Sequence, residues 1–192
     1  MKKLLGLFVL LFVFIPRAAA QQTPAWDVEG SYLFRSFYVP NSGARVSMNG
    51  WDFSLDHNIR RWIGVVVDVN GTYSNQGVNG KTQIYTFMIG PRIYFLGHRH
   101  KIVPYGQLLF GGGYDHLTFP LNAGFPKTTF TSGDFAWGGG IGLELKVKQK
   151  WALRLMEFDY EQTRFTNYSN QAMNTQGNYR ISVGIVYHIG EK

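Results

Sequence analysis

The chain has 192 residues, which suits one domain, and it carries 19 Lys and Arg against 12 Asp and Glu. This basic excess is modest and does not call for a nucleic-acid partner. The absence of cysteine excludes a disulfide framework and a lipid-modified cysteine. The 23 glycines and the aromatic share of 16% are typical of a β-rich protein.

The N-terminus has the three parts of a secretory signal peptide. Lys2 and Lys3 precede an apolar run at residues 4–15, Pro16 ends the run, and residues 18–20 are alanines. The run is too short for a membrane-spanning helix, which needs about 20 apolar residues. We therefore predict a cleaved signal peptide at 1–20 and one domain at 21–192. That domain has no second long apolar run, so we expect no membrane-spanning helices.

Apolar and polar side chains alternate with period two in eight segments, which are separated by clusters of Gly, Asn and Ser. The eighth segment is nearly ideal, with Tyr179, Ile181 and Val183 on one face and Ser182 and Gly184 on the other. In chain order, the predicted strands cover residues 26–38, 46–55, 63–73, 82–95, 103–116, 134–146, 151–165 and 179–189.

Three residues interrupt the alternation. Val66 is an apolar residue on the polar face of the third strand. Pro91 cannot donate to a β-ladder, and we expect a bulge to accommodate it. The phase of the seventh strand turns Arg154 outward, unless a bulge near Leu155 restores it to the interior; an interfacial Arg154 is the alternative.

The distribution of side chains favours a membrane barrel over a soluble one. The polar faces carry mostly Gly, Ser and Thr with scattered charges, which fits the narrow lumen of eight strands. The opposite faces carry large aliphatic residues with Tyr or Trp toward the strand ends, as in a lipid band between aromatic girdles. We expect connections of 7 to 16 residues after strands 1, 3, 5 and 7 and shorter turns after strands 2, 4 and 6. The fold predicted is an all-β, eight-stranded antiparallel up-and-down transmembrane β-barrel.

Four segments resemble a known family: FMIGPRIYF at 87–95, PYGQLLFGGG at 104–113, WGGGIGLEL at 137–145 and RISVGIVYHIG at 180–190. They are similar to the OmpA-type outer-membrane β-barrel domain of small porin-family proteins. The resemblance covers nearly the whole of 21–192 and implies the outer membrane of a Gram-negative bacterium. Its motifs are specific for the fold but weak for function.

The last strand also resembles the signal that the barrel-assembly machinery reads during insertion. The pattern polar–x–Gly–x–x–aromatic–x–hydrophobic is met by Ser182, Gly184, Tyr187 and Ile189. This chain departs from the usual pattern because residues 190–192 follow Ile189. Outer-membrane lipid and this machinery are the partners implied, together with an extracellular ligand held by the loops.

Charged residues on the polar faces predict an ion network inside the lumen. Arg92 lies on strand four, and a lone guanidinium in a narrow lumen is costly. We expect Arg92 to reach a carboxylate across the lumen, first of all Glu144 or Glu157, and the network to close the pore. The other carboxylates expected at comparable depth are Glu29 and Asp52.

No catalytic, cofactor or metal site stands out. His116 with Asp115 and Ser132 forms only a generic triad, and His98 with His100 is more typical of a solvated basic turn than of a metal site. The function predicted is a structural or surface-interaction role without enzymatic activity. A narrow solute channel and a lipid A-modifying enzyme are the alternatives.

Overall fold

The computed structural model describes residues 23–39, 43–74, 81–119, 128–166 and 173–191. Each strand pairs antiparallel with the next, and β1 pairs with β8, so the sheet closes into an eight-stranded barrel. This confirms the predicted fold. The predicted signal peptide lies outside the described residues. The elements are β1 Pro24–Val39, β2 Ala44–Arg60, β3 Ile63–Ser74, β4 Lys81–Tyr94, the 3-10 turn η1 Gly97–Arg99, β5 Ile102–Phe119, β6 Thr128–Lys148, β7 Trp151–Thr166 and β8 Met173–Glu191.

Within the described ranges, no helix is long and apolar enough to cross a membrane.

The strands extend further into the polar loops than the alternation predicted. Pairs such as His116↔Thr131 and Thr118↔Thr129 continue the β5–β6 ladder well beyond the apolar segments, because ladder hydrogen bonds satisfy the backbone whatever the side chains are. The connections after β1, β3, β5 and β7 are consequently 40–43, 75–80, 120–127 and 167–172. The predicted lengths of 7 to 16 residues were therefore too long for three of these four. The shortest connections, 61–62 and 149–150, lie at the opposite end.

The barrel is polar inside and apolar outside, as the alternation predicted. Large hydrophobic side chains such as Phe87, Ile141 and Ile185 are about half exposed on the outer wall. The few apolar residues inside form small clusters, and one of these explains Val66. Val66 packs there against Met88, Leu109 and Ala136.

The two predicted irregularities have different outcomes. The register of β7 against β8 shifts between Arg154 and Glu157, and its register against β6 shifts between Leu143 and Glu144. This bulge turns Arg154 into the lumen, where it is buried, and confirms the bulge expected near Leu155. The bulge expected at Pro91 was wrong, because the register does not shift there: β3 pairs Val65 with Pro91, and the β4–β5 register is the same at Ile89↔Phe110 and Arg92↔Gln107. Pro91 lies on the outer wall, and the β4–β5 ladder skips Gly90 and Pro91, because a proline has no N–H to donate.

Candidate functional site

The lumen contains an unusual concentration of buried charge. Among the described residues, four buried arginines face ten buried carboxyl groups. Burying a charge is costly unless it is paired and hydrogen-bonded, so the arginines organise the interior. The arginines are Arg35, Arg92, Arg154 and Arg180, and the acids are Asp27, Glu29, Asp52, Asp56, Asp68, Asp115, Glu144, Glu157, Asp159 and Glu161.

Arg154 spans the lumen from β7 to β1 and β2. Its Nη1 lies 3.0 Å from Asp52 Oδ2 and 3.3 Å from Glu157 Oε1, and its Nη2 pairs with Glu29. Nη2 also donates to Ser54 Oγ at 3.2 Å. One guanidinium therefore neutralises carboxylates from three strands and ties β7 to the opposite wall.

Arg92 makes a second crossing, from β4 to β1. Its Nη1 lies 2.6 Å from Glu29 Oε1, and its Nη2 lies 3.7 Å from Glu157 Oε2. Gln107 Oε1 accepts from Nε and Nη2 at 3.0 and 2.9 Å, and the Tyr105 ring stacks 4.6 Å from the guanidinium carbon. Arg92 and Arg154 thus share Glu29 and Glu157, which joins the two crossings into one network.

A third group of ion pairs lies nearer the loop end. Arg180 on β8 contacts Asp68 on β3 at 3.2 Å, Asp159 at 3.0 Å and Glu161 at 3.2 Å. Arg35 on β1 lies 3.2 Å from Glu161 and donates to Asn70 Oδ1 at 2.8 Å. Side chains therefore cross the lumen at successive depths rather than only lining its wall.

The predicted network residues are placed as follows. Arg92, Glu29 and Glu157 are in contact, and Asp52 joins them through Arg154. Glu144 differs: no salt bridge within the described residues links it to Arg92. Its side chain is fully buried, and neither carboxyl oxygen accepts a hydrogen bond there. The bulge opposite Glu144 pairs it with Arg154 along the backbone, but the Arg154 guanidinium extends toward β1 and β2 instead.

Several members of the network were missed. Arg35, Asp68, Asp159 and Arg180 lie on the polar phase of their strands, but the alternation gives no partner for them across the lumen. Asp56 lies beyond the predicted end of the second strand, yet it accepts from the Tyr94 hydroxyl at 2.6 Å. These residues could have been found by continuing the alternation of each strand beyond its predicted ends, because every second residue then faces the lumen.

The turn after β4 packs inward at the end of the barrel opposite the loops. Gly97 adopts φ 62°, a left-handed conformation that favours glycine, and His98 is buried behind it. The His98 ring lies 4.0 Å from the Tyr94 ring, and its Nε2 lies 3.2 Å from Asn58 Oδ1. Burial disfavours the charged imidazole and lowers the pKa of His98 to about 4, although nearby Asp27 opposes this shift.

The candidate chemical groups are not assembled for catalysis. His116 lies on the outer face with Thr131 Oγ1 at 3.2 Å, whereas Asp115 and Ser132 are buried on the inner face of the same sheet. His98 is buried while His100 is exposed, so these two do not form a common ligand pair.

The residues of the predicted assembly signal occupy both faces of β8. Ser182 and Gly184 face the lumen, where a Cβ on Gly184 would come within 2.3 Å of the Gly30 carbonyl oxygen. Tyr187 and Ile189 face outward. The close approach of β1 accounts for the glycine, and the role of the four residues in assembly stays a prediction.

Comparison with known proteins identifies the architecture. The family described as "Outer membrane protein beta-barrel domain" matches residues 5–188. Neisserial surface protein A has a TM-score of 0.66 and 12% identity, over 88% of this chain and 100% of that one. The attachment invasion locus protein Ail of Yersinia pestis has a TM-score of 0.61 and 14% identity, over 85% and 99%. A structure of Ail with the heparin analogue sucrose octasulfate has a TM-score of 0.56 and 14% identity, and the match covers 87% of this chain and 99% of that one. No curated protein matches in sequence.

Proposed function

The chain belongs to the outer membrane protein β-barrel domain family, and from this premise we propose that it acts as a closed barrel with a structural or surface-interaction role. Its place is the outer membrane of a Gram-negative bacterium. The barrel anchors the protein in lipid, and the connections after β1, β3, β5 and β7 present it to the outside. No enzymatic activity is part of this proposal.

The observation that carries the proposal is the set of side chains crossing the lumen. Arg154 joins β7 to β2, Arg92 joins β4 to β1, and Arg180 joins β8 to β3. An eight-stranded barrel is only wide enough for its own side chains. With guanidinium groups paired across it at several depths, little open cross-section is left for a solute.

A narrow cation channel is the second candidate, and one observation favours it. The buried carboxyl groups outnumber the buried arginines, and Glu144 has no hydrogen-bond partner among the described residues. An excess of carboxyl groups over arginines would favour cations over anions in a lumen that opens to water. The network would then need to open before ions could pass.

Planar bilayer recording separates the two candidates. The purified wild type is expected to give no steady conductance, and Arg92→Ala, which removes one crossing, is expected to give cation-selective current. Steady wild-type channels of the same conductance as Arg92→Ala would contradict the closed lumen. Replacement of the rim residue Arg45 by Ala is the matched control, because it removes an arginine from the outer surface rather than from the lumen.

The proposed partners follow from the two ends of the barrel. The Ail structure with a heparin analogue shows a ligand on a protein of similar fold, and we propose that this chain also holds an extracellular ligand through its loops. The assembly machinery is proposed to recognise Ser182, Gly184, Tyr187 and Ile189. Replacing Tyr187 by Ser should slow insertion in cells without changing the stability of the refolded barrel by more than about 1 kcal/mol, since one outward-facing, partly buried ring is altered.

A further inference from the structure

The charges on the outer wall near the loop end have one sign. Arg45 on β2, Lys81 on β4 and Arg164 on β7 are exposed and face outward. Among the side chains whose exposure is described, every strand carboxylate lies on the inward phase of its strand. This part of the outer wall therefore presents only positive charge to its surroundings, which suits an anionic partner.

A groove lies on this wall between β6 and β7. It has a volume of about 170 Å³ and is lined by Phe135, Trp137, Gln162 and Arg164. Trp137 and Gln162 face each other across the two strands, and the indole Nε1 donates to Gln162 Oε1 at 2.9 Å. This bond orients the ring and uses the Gln162 oxygen, so the Gln162 amide retains N–H donors for a polar ligand.

The groove lies at one end of a row of aromatic rings on the outer wall, and this row indicates how deep the groove lies in the membrane. Trp137 packs edge-on against Tyr160 at 6.5 Å, and Tyr160 lies 5.7 Å from Tyr179. The Arg45 guanidinium carbon lies 4.6 Å from the Tyr179 ring centre. Bands of Tyr and Trp mark the membrane–water interface of an outer-membrane barrel. The groove therefore spans the level where acyl chains give way to headgroups.

Arg164 lies on the headgroup side of the band. It is two residues beyond Gln162 along β7, toward the loop end, and Phe135 is two residues beyond Trp137 along β6. No carboxylate in the described part of the chain pairs with Arg164. Its planar guanidinium is therefore open to a phosphate, which arginine binds through two parallel hydrogen bonds.

We propose that this groove is a binding site for one molecule of lipid A, the phosphorylated glycolipid of the outer leaflet. A phosphate pairs with Arg164, an acyl chain lies against Phe135 and Trp137, and the Gln162 amide meets the polar headgroup. Lipid A is the occupant because the groove opens at the loop end, in the outer leaflet, and combines a cation with an apolar floor.

Native mass spectrometry of the refolded full barrel, titrated with bisphosphorylated lipid A, tests the proposal. Arg164→Gln should weaken binding about fivefold, since one cation near an anionic lipid surface is lost. Arg60→Gln, which removes an exposed arginine at the opposite end, should change binding less than twofold. Both positions are exposed, so both variants should retain the heat-sensitive electrophoretic mobility of a folded barrel.

The choice of lipid separates a lipid A site from general attraction to anionic lipid. Dephosphorylated lipid A should bind wild type as weakly as bisphosphorylated lipid A binds Arg164→Gln. Phosphatidylglycerol should bind wild type at least fivefold more weakly than bisphosphorylated lipid A. Equal binding of the two lipids would overturn the proposal, as would an unchanged affinity in Arg164→Gln or an equal loss in Arg60→Gln.

Discussion

Replacing Arg154 by Met removes the guanidinium that three lumen carboxylates share. Asp52 lies 3.0 Å from it, Glu157 lies 3.3 Å from it, and Glu29 is in direct contact. Methionine, like arginine, is a long and flexible side chain, so the substitution changes the packing little and its main effect is the loss of the positive charge. Removing one partner of a buried ion pair typically costs about 3–5 kcal/mol, because the other charge stays buried without compensation.

Protonation of the carboxyl groups that lose their partner limits this cost. A stranded carboxyl group that ionises near pH 4 in water can be neutralised at pH 7 for about 4 kcal/mol, since each pH unit is worth about 1.4 kcal/mol. We therefore expect Arg154→Met to lower the free energy of unfolding by about 3–4 kcal/mol at pH 7. At pH 5 the same neutralisation costs about 1.4 kcal/mol, so most of the difference from wild type should disappear.

The measurement is unfolding by guanidinium chloride in phosphatidylcholine vesicles, followed by tryptophan fluorescence at pH 7 and pH 5. The matched control is Arg45→Met, which removes an exposed guanidinium held over the rings of Tyr38 and Tyr179. Its cost should be below about 1 kcal/mol. A loss under 1 kcal/mol for Arg154→Met at pH 7, or a loss of equal size at both pH values, would refute the assigned role of Arg154.

Three further predictions concern the lipid-facing wall, the buried His98 in the turn after β4, and the orientation of the barrel in the membrane. Ile185→Arg places a charge on the lipid-facing side of β8 and should cost about 2–4 kcal/mol in the same unfolding assay, if Ile185 lies near the bilayer midplane; unchanged stability would mean that the facing is wrong. The pKa of His98 is about 4 in the folded protein against 6.5 in the unfolded chain, so the unfolded state binds more protons between these values and stability should fall as the pH drops from about 6.5 to 4. His98 faces Asp27, Lys146 and His188, and His98→Gln should remove up to roughly 3 kcal/mol of that fall; parallel pH profiles of wild type and variant would contradict it. Because the chain has no cysteine, Ala44→Cys should react with an impermeant maleimide in intact cells while Gln149→Cys should not, and the reverse pattern would invert the topology.

The facing of each strand was predictable because it depends on local geometry. Successive side chains of a strand point to opposite faces, so alternation alone placed Arg35, Asp68 and Arg180 inside and Ile185 outside. For Arg154 the alternation left two positions open, the lumen by way of a bulge near Leu155 or the membrane interface, and the register shift of β7 places it in the lumen. Which side chains face the lumen can therefore be predicted from the sequence wherever the alternation is regular.

The pairing across the lumen was not predictable from the alternation. Which residues meet depends on the stagger between strands that are far apart in sequence, and this stagger is a property of the closed barrel. Glu144 and Glu157 were both expected as partners of Arg92, but only Glu157 lies near it, at 3.7 Å, and the shortest contact is with Glu29 at 2.6 Å. The expected solvated turn was wrong for His98, because its burial depends on the backbone of Gly97 and on packing against Tyr94.

The separation of charge between the lumen and the wall connects the two proposals. A carboxylate on the outer wall would meet hydrocarbon or lipid phosphate, and both are unfavourable, whereas in the lumen it can share an arginine. The described carboxylates follow this rule, and Arg92 and Arg154 each serve more than one of them. Among the residues that the structure describes, the outer wall is left with cations that have no acidic neighbour, and Arg164 beside its aromatic groove is one of these. The side-chain distribution that we propose closes the lumen thus also leaves a cationic, partly apolar surface on the outer wall near the loop end.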